Sequence, residues 1–581
     1  MSKHSEGQGP LLATQDREAS GPVECLGLTF DNDEARRAYF LAELKKKLAD
    51  PEFRKIEGFP IGSDEDILAL SDPPYYTACP NPFIQDFIRY FGKPYDADIS
   101  YTREPFAADV SEGKNDPLYN AHSYHTKVPH KAIMRYILHY TEPGDLVFDG
   151  FCGTGMTAVA AQLCSTSDPT LRKVIQTEIS DAKFGLRRSI ICDLSPEATF
   201  IAHSLNSPYS RSEFASAVED VTERLEKAVH DFYTTTLHEG RAKREGRVVY
   251  TIWSDRVLCP ECATPFTYSE AAVNSSWTVE ADLFHCPSCE AELTTRALSR
   301  ALEDRWDPIL GKAISISQQV PVLINAVCGT RRYKKVPDNE DRAKAAAPLA
   351  IATLRSPIMQ LDQLDRYYKD SLHLRRYTHV HHLYTERTWF ALATLKSLID
   401  TSCYSHRTRQ QLTALFTSTL PRLDRLNRYM PDHQRHVGPL VGTLYVSWLT
   451  VEISVLHYWK DKAKTFLSLD SLQGDAIIST QSSTSLAGIV DNSIDYIFTD
   501  PPFGHNLQYA ELNQRAEAWV GVSTDKFTEA VVSDAQHKDL FAYEHLMTSA
   551  FAEAYRILKP GRWITVEFHN SRNAVWNAIQ Q

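Results

Sequence analysis

The apolar stretch Ile494–Thr499 leads directly into Asp500-Pro501-Pro502-Phe503. Neither proline has an N–H group for a sheet ladder, and each restricts the residue before it. The sequence therefore predicts a buried strand that ends at Asp500. Ligands of open α/β sheets bind at the carboxyl ends of the strands, and a carboxylate, a rigid turn and an aromatic ring suit a planar, amino-bearing base. A strand-ending turn capped by an aspartate is the alternative interpretation.

A glycine-rich loop follows a second predicted strand, residues 145–149. The loop reads Gly-Phe-Cys-Gly-Thr-Gly over residues 150–155, and a predicted helix begins at Met156. Glycines allow a ligand to approach the backbone closely, and the first turn of a helix presents free N–H groups. Because the pattern differs from the dinucleotide fingerprint Gly-x-Gly-x-x-Gly, the loop by itself indicates either a cofactor site or a packing turn.

The next predicted strand, residues 189–193, ends on Asp193, and Ser195 and Pro196 begin a helix as its cap and first residue. A carboxylate at this position can accept hydrogen bonds from two ribose hydroxyls. Glu178 is a competing acid. We favour Asp193 because the change from strand to helix after it is clearer.

Two Cys-Pro-x-Cys pairs form the most specific single pattern in the chain. Cys259 and Cys262 are separated from Cys286 and Cys289 by 23 residues. Four thiolates can enclose one tetrahedral Zn²⁺ and leave no open position, so the pattern predicts a structural metal site. The histidines at positions 379, 381 and 382 have no matching ligand spacing, and we expect them on a helix surface.

Composition narrows the possible classes of protein. A chain of 581 residues is too long for one core. A net charge of −12 argues against a global basic field for nucleic acid but leaves room for a local basic cleft. No apolar run reaches the ~20 residues of a membrane helix, and residues 1–22 read as a disordered tail. The scattered remainder of the 11 cysteines indicates a reducing compartment, the cytoplasm.

The glycine loop and the segment Asp500-Pro501-Pro502-Phe503, here called the Asp500 string, together resemble the amino-group DNA methyltransferases that use S-adenosylmethionine. The cysteine pairs are similar to the zinc ribbon that is inserted in large members of this family. The resemblance covers residues 120–205 and 465–581. It implies an α/β fold, a Rossmann-like methyltransferase sheet interrupted by a zinc-ribbon and helical insertion. The chain departs from the family at Gly150, where proline is usual, and in the length of the insertion.

The resemblance also implies a set of cofactor-binding residues. Gly474-Asp475-Ala476 is similar to the family's acid at the third strand, near the adenine of the cofactor. The segment around Lys127 is similar to the family's motif upstream of the glycine loop. The implied cofactor residues are Lys127, Pro129, Asp149, Phe151, Gly153, Thr154, Gly155, Thr157, Asp193 and Asp475.

The implied catalytic residues are Asp500, Pro501, Pro502 and Phe503. The exocyclic nitrogen of adenine or cytosine is a poor nucleophile because its lone pair is delocalised into the ring. Asp500 and the Pro501 carbonyl would accept its two hydrogens and orient the lone pair toward the methyl donor. Phe503 would stack on a base flipped out of the duplex.

A second string, Asp72-Pro73-Pro74-Tyr75, competes for this role. One motif order of the family places the catalytic string before the glycine loop, and another order places it after the loop. We favour Asp500 because an apolar strand precedes it and a strand turn, residues 559–561, follows. Asp72 has neither and is expected either to line the cleft or to form a turn.

We predict five segments in this chain. We also expect the chain to end before its sheet is complete, because enzymes of the similar family have two further strands after the fifth strand, which here is residues 563–568. Residues 65–70 are the alternative source of a strand. The predicted segments are a disordered tail (1–22), an N-terminal helical and cleft-lining region (23–120), the cofactor half of the methyltransferase core (121–210), an insertion with a zinc ribbon at about 250–300 and a helical target-recognition region (211–464), and the catalytic half (465–581).

The resemblance implies transfer of a methyl group from S-adenosylmethionine to an amino group of double-stranded DNA. Adenine N6 is favoured over cytosine N4 because the string begins with Asp and not Ser. Methylation of RNA or of a protein amide is a second interpretation, and a non-catalytic nucleic-acid-binding module is a third. A restriction or defence-system partner is compatible with the family, and no membrane partner is expected.

Overall fold

The computed structural model of the protein describes most of the chain. The described residues are 21–109, 113–274, 276–278, 283–345, 359–433, 435–472, 474, 476–505, 507–570 and 572–580. No helix within these ranges is both long enough and apolar enough to cross a bilayer.

The helices concentrate before residue 230, between residues 339 and 467, and after residue 508. In chain order they are α1 (Asp33–Leu48), α2 (Asp64–Leu70), α3 (Ile84–Phe91), α4 (Pro117–Ala121), α5 (His130–Tyr140), α6 (Met156–Leu163), α7 (Pro169–Glu178), α8 (Pro196–Asn206), α9 (Arg211–Val229), α10 (Tyr268–Ala272), α11 (Asn339–Ala345), α12 (Asp365–Lys369), α13 (Glu386–Asp400), α14 (His406–Thr419), α15 (Val455–Leu467), α16 (Tyr509–Val520), α17 (Leu540–Ile557) and α18 (Asn573–Gln580).

The strands divide between a parallel sheet and several antiparallel groups. In chain order they are β1 (Val23–Cys25), β2 (Leu28–Phe30), β3 (Ile61–Gly62), β4 (Tyr76–Thr77), β5 (Leu146–Asp149), β6 (Arg188–Asp193), β7 (Thr234–Glu239), β8 (Ala242–Leu258), β9 (Pro265–Thr267), β10 (Leu283–His285), β11 (Glu292–Thr294), β12 (Ser299–Arg300), β13 (Leu302–Asp307), β14 (Lys312–Ser317), β15 (Gln319–Cys328), β16 (Arg331–Lys335), β17 (Arg428–Met430), β18 (Arg435–Val437), β19 (Leu449–Ile453), β20 (Ala476–Thr480), β21 (Ile494–Thr499), β22 (Val522–Ser523) and β23 (Leu558–Val566).

A six-stranded parallel sheet organises the two halves of the core. Its order is β23-β21-β5-β6-β20-β4. Every residue of β5, β20 and β21 is buried, as expected for apolar strands covered on both faces. Helix α8 packs against β6 and β20, and α5 packs against α6 and β21. The α/β sheet expected from the sequence is therefore present, and β6 and β20 pair directly although the insertion separates them in sequence.

The insertion begins with the long helix α9, and an antiparallel sheet follows it. This nine-stranded sheet contains the path β16-β15-β8-β19-β17-β18. Its longest pairing joins β15 to β8, and the two strands run antiparallel. Helices α13 and α14 follow from Glu386 onward.

The expected alternative for an extra strand is wrong. Residues 65–70 lie in α2, which Ser63 caps by accepting the N–H of Asp66. The strand that adjoins β20 is β4, at the opposite edge of the sheet from β23. Among the described residues, β23 pairs with β21 alone.

The Asp72 string lies in a buried ion cluster. Asp72 is fully buried, and its Oδ1 accepts a hydrogen bond from Arg36 Nη2 at 3.0 Å. Arg407 Nε lies 3.5 Å from Asp72 Oδ2. Burial by itself would raise the pKa of Asp72, but the two guanidinium groups hold that pKa well below its usual range. The string is thus a structural turn that leads into β4.

Replacing Asp72 with alanine should destabilise the protein, because Arg36 would remain buried without its main charge partner. We expect a loss of about 3 kcal/mol of unfolding free energy and a fall in the midpoint of thermal unfolding of several degrees. The matched control is Asp33→Ala, which removes a partly exposed carboxylate from the same arginine and should cost about 1 kcal/mol or less. Equal midpoints for Asp72→Ala and the wild type would contradict the structural role.

Candidate functional site

A cavity lies at the carboxyl edge of the parallel sheet. The ends of β5, β6, β20 and β21 converge there, at the edge where open α/β sheets bind their ligands. The polar and aromatic side chains that line the cavity include Tyr124, Thr126, Lys127, Asp149, Phe151, Thr154, Thr157, Asp193, Ser195, Gln481, Ser482, Ser483, Thr484, Asp500, Tyr509, Thr524, Thr528 and Glu529.

Asp149 organises the glycine loop from inside. Its Oδ2 accepts a hydrogen bond from Thr157 Oγ1 at 2.5 Å, and its Oδ1 accepts bonds from the Phe151 N–H and from Thr499 Oγ1. Burial raises the pKa of Asp149 to about 7. The predicted residues Asp149, Phe151, Gly153, Thr154 and Thr157 all line the cavity.

Two glycines of the loop are required by close approach. Gly155 caps α6 with φ +74°, and a Cβ there would lie 2.7 Å from the Cβ of Ala202. Gly155 therefore supports the loop from behind and is not part of the lining. A Cβ on Gly150 would lie 2.7 Å from Ser483 Oγ, which donates a hydrogen bond to the Gly150 carbonyl. This contact explains why the chain carries glycine where the family usually has proline.

Asp193 ends β6 and faces the glycine loop. Its Oδ2 accepts the N–H of Gly153 and its Oδ1 accepts the N–H of Ser195, both at 2.9 Å. Burial raises the pKa of Asp193 to about 6. Each carboxylate oxygen retains a lone pair for a further donor. Glu178 is elsewhere, at the end of α7 in an ion pair with Arg135.

Asp475, predicted near the cofactor adenine, lies outside the described residues. Its neighbour Ala476 begins β20, and the carboxyl end of that strand is Thr480. Residues 481–484, which the sequence analysis missed, follow the strand and line the cavity. The polar run that follows the apolar residues Ile477 and Ile478 is the signal that could have located them.

Among the described acids that line the cavity, Asp500 is the one with an unsatisfied oxygen. Its Oδ1 is buried and has no hydrogen-bond partner among the described residues. Burial raises the pKa of Asp500 to about 8, and the negative charges of Asp149 and Glu567 add to the effect. A buried carboxylate oxygen without a donor costs free energy, so this position suits a ligand that brings its own N–H group.

The rest of the Asp500 string is held by the C-terminal helices. Pro502 lines the cavity, and its carbonyl accepts a hydrogen bond from Tyr543 Oη at 2.8 Å. Pro501 is buried and does not belong to the lining. The Phe503 ring packs against Phe568, with the ring centres 5.6 Å apart, and it does not line the cavity either.

Lys127 and Pro129 differ from their predicted role. The Lys127 side chain reaches the cavity, but its Nζ donates to the main-chain carbonyls of Tyr119 and His122, at the end of α4. Its ammonium group is thus used within the protein. Pro129 precedes α5 as its N-cap and does not line the cavity. None of the described residues of 23–120, Asp72 and Tyr75 included, lines it either.

A hydrogen-bonded network behind the cavity joins the two halves of the core. Asn513 Nδ2 donates to Ser195 Oγ at 2.9 Å and to Tyr124 Oη at 3.0 Å. Ser195 Oγ also donates to Glu517. The network therefore links Ser195, two residues after Asp193, to α16, the helix that follows the Asp500 string.

The insertion is tied to the same region. Glu511 accepts the N–H groups of Asp365 and Arg366 at the start of α12. The Asp365 carboxylate in turn accepts bonds from Ser533 Oγ and the Ala535 N–H. These contacts connect the insertion to the residues that follow the Asp500 string.

The four cysteines of the two Cys-Pro-x-Cys pairs come together. Cys259 Sγ lies 3.8 Å from Cys289 Sγ, and Cys262 Sγ lies 3.8 Å from Cys286 Sγ. Tetrahedral Zn²⁺ with Zn–S bonds of about 2.3 Å places its sulfurs about 3.8 Å apart. The spacing therefore fits zinc, and all four sulfurs lie within 4.8 Å of one another.

His379, His381 and His382 are buried, and the expectation of a helix surface is wrong. Asp307 Oδ2 lies 2.8 Å from His381 Nε2 and 2.9 Å from His382 Nε2. His382 Nδ1 accepts the N–H of His379, so the hydrogen of the neutral ring is on Nε2 and is donated to Asp307. The lone pair that a metal would need is on the wrong nitrogen, and the group reads as a buried hydrogen-bonded cluster.

The comparison with known families gives one match. Residues 67–202 match the sequence model of the DNA methylase family, N6_N4_Mtase. This range contains the Asp72 string, the glycine loop and Asp193, and it ends before Asp500. No curated protein and no solved structure matches the chain.

Elemental analysis of the purified protein should find about one zinc per chain, because the four thiolates form one closed tetrahedral site. Cys262→Ser should lower this content severalfold by removing a ligand. Cys403→Ser is the matched control, since Cys403 is an exposed cysteine outside the group. A well-folded protein without bound metal would rule out the zinc site.

Proposed function

We propose that this chain, whose residues 67–202 belong to the family of amino-group DNA methyltransferases, transfers a methyl group from S-adenosylmethionine to the exocyclic amino group of a flipped DNA base, with adenine N6 as the favoured acceptor. The observation that carries the proposal is the buried Asp500 Oδ1, which lacks a partner in a cavity that also contains Asp193. Asp500 is available for the amino group of the acceptor base, and Asp193 is available for the ribose of the methyl donor.

S-adenosylmethionine supplies a methyl group activated by the positive charge of its sulfonium. The first turn of α6 would present main-chain N–H groups to its polar groups, and Asp193 would accept hydrogen bonds from its ribose hydroxyls. Gln481 and Ser482, which follow β20 and line the cavity, would contact its adenine ring. Gly153, in a left-handed conformation, would allow the close approach.

Asp500 prepares the acceptor. Its free oxygen would accept one hydrogen of the amino group, and the Pro501 carbonyl would accept the other. This localises the nitrogen lone pair toward the donor and orients it for in-line transfer. No covalent intermediate is formed, so no cysteine nucleophile is needed; burial raises the pKa of Cys152, in the glycine loop, well above its usual value.

The choice of Asp500 over Asp72 rests on position. Asp500 ends a strand adjacent to β5, whereas Asp72 precedes β4 at the sheet edge and is neutralised by Arg36 and Arg407. The family match includes Asp72 and not Asp500, so sequence comparison and geometry favour different strings. We give more weight to geometry because a carboxylate already paired with two guanidinium groups cannot approach a base.

The insertion and the zinc ribbon form the proposed target-recognition region, and double-stranded DNA is the proposed partner. A restriction nuclease or another defence component would act on the same DNA target sequence when that sequence is not methylated. The assay is transfer of labelled methyl from S-adenosylmethionine to unmethylated DNA, RNA and protein in parallel. Mapping the modified bases then distinguishes adenine from cytosine. Label found only in RNA or protein, or in none of the three, would overturn the proposal.

Asp500→Asn should reduce kcat at least 100-fold and leave the Kd for S-adenosylmethionine within a few-fold of wild type, since the amide is a poorer acceptor but does not touch the donor. The control is Asp72→Asn, assayed well below its lowered unfolding temperature, which should retain most activity. Full activity in Asp500→Asn together with an inactive, folded Asp72→Asn would reverse the assignment of the two strings.

The kcat/KM for DNA, at saturating donor, should fall as the pH decreases below about 8, because Asp500 accepts the amino hydrogen only when ionised and its pKa is about 8. Glu567→Gln removes a negative charge that raises this pKa, so the inflection should move to lower pH. The matched control is Asp491→Asn, which removes an exposed carboxylate just before β21, at the end of that strand far from Asp500. An unchanged inflection in Glu567→Gln would show that another group controls the profile.

A further inference from the structure

We propose that Tyr509, and not Phe503 of the Asp500 string, supplies the aromatic face on which the acceptor base rests. This inference rests on the proposed function and assigns a base-binding residue within the same cavity. The Asp500 string by itself would assign this role to Phe503, but the placement of the Phe503 and Tyr509 rings favours Tyr509.

Phe503 is engaged elsewhere. Its ring meets the Phe568 ring at 63° with the centres 5.6 Å apart, and Phe568 in turn packs against Trp576. The Phe503 carbonyl accepts a hydrogen bond from Asn570 Nδ2 at 2.7 Å, which fixes the backbone as well. To reach a base in the cavity, Phe503 would have to leave this aromatic cluster and break its packing.

Tyr509 begins α16 and lines the cavity. Its hydroxyl lies 3.0 Å from Thr126 Oγ1, so the ring is held at its far end. The Tyr124 ring lies almost parallel to it, at 24° with centres 6.4 Å apart, and the His125 ring meets its edge at 5.8 Å. The Tyr509 ring is therefore held by its neighbours and loses little freedom when a base stacks on it.

The place of Tyr509 in the cavity supports the same assignment. Tyr509 lines the same cavity as Asp500 and Asp193. Its ring is therefore part of the wall that the two proposed ligand-binding acids share, in the cavity where the amino group of the acceptor must meet the donor. Stacking on a fixed ring would orient the base plane so that its amino group faces Asp500.

The kinetic test compares three variants on DNA containing the mapped target site. Tyr509→Leu removes the ring at similar volume and should lower kcat/KM for DNA roughly 10- to 100-fold, with most of the change in the KM for DNA. Tyr509→Phe keeps the ring and should stay within about threefold of wild type. Phe503→Leu, the matched control, should also stay within about fivefold. The Kd for S-adenosylmethionine reports folding of each variant.

A second readout uses a duplex with 2-aminopurine at the target position, because stacking on an aromatic ring quenches its fluorescence. The complex with Tyr509→Leu should be brighter than the wild-type complex at equal occupancy, and the Phe503→Leu complex should match wild type. If Phe503→Leu is the brighter and slower variant while Tyr509→Leu resembles wild type, the inference fails and the proposed function stands. A wild-type protein that methylates no DNA overturns both.

Discussion

Three aspartates, Asp149, Asp193 and Asp500, end three neighbouring strands of one parallel sheet, and burial penalises the negative charge of each. They differ in what compensates for that penalty. Asp149 is satisfied by the loop and by two threonines, and Asp193 by two main-chain N–H groups. Asp500 retains an oxygen with no described partner. The number of internal donors therefore separates the two acids that hold the glycine loop from Asp500, to which we assign the proposed acceptor base.

The insertion interrupts the sequence of the core but not its sheet. Strand β20 pairs with β6 along five residues although the insertion lies between them, so the register of the sheet does not depend on the connecting chain. Glu511 and Asp365 join the insertion to the segment after Asp500 through charge-assisted hydrogen bonds to main-chain N–H groups. A region that reads DNA would thus be mechanically connected to the site of chemistry.

The two Asp-Pro-Pro-aromatic strings show how surroundings decide the role of one short motif. Asp72 is enclosed by arginines from α1 and α14, which stabilise its charge and use its oxygens. Asp500 faces other carboxylates, which destabilise its charge. The same residue type is consequently a permanent anion in one place and a poised acceptor in the other, and the difference comes from residues far away in sequence.

The sequence by itself determined the local features that depend on neighbouring residues. The strand that stops at two prolines, the glycine loop before a helix, the Ser195 cap and the two cysteine pairs were all predictable, because proline, glycine and capping residues act within a few positions. Tertiary structure alone decided which cavity-lining acid lacks a hydrogen-bond partner among the described residues, that Phe503 turns to Phe568 while Tyr509 lines the cavity, and that residues 481–484, after the third core strand, line the cavity as well. These outcomes depend on contacts between residues tens to hundreds of positions apart, and no local pattern encodes which side chains will supply a buried group with hydrogen bonds.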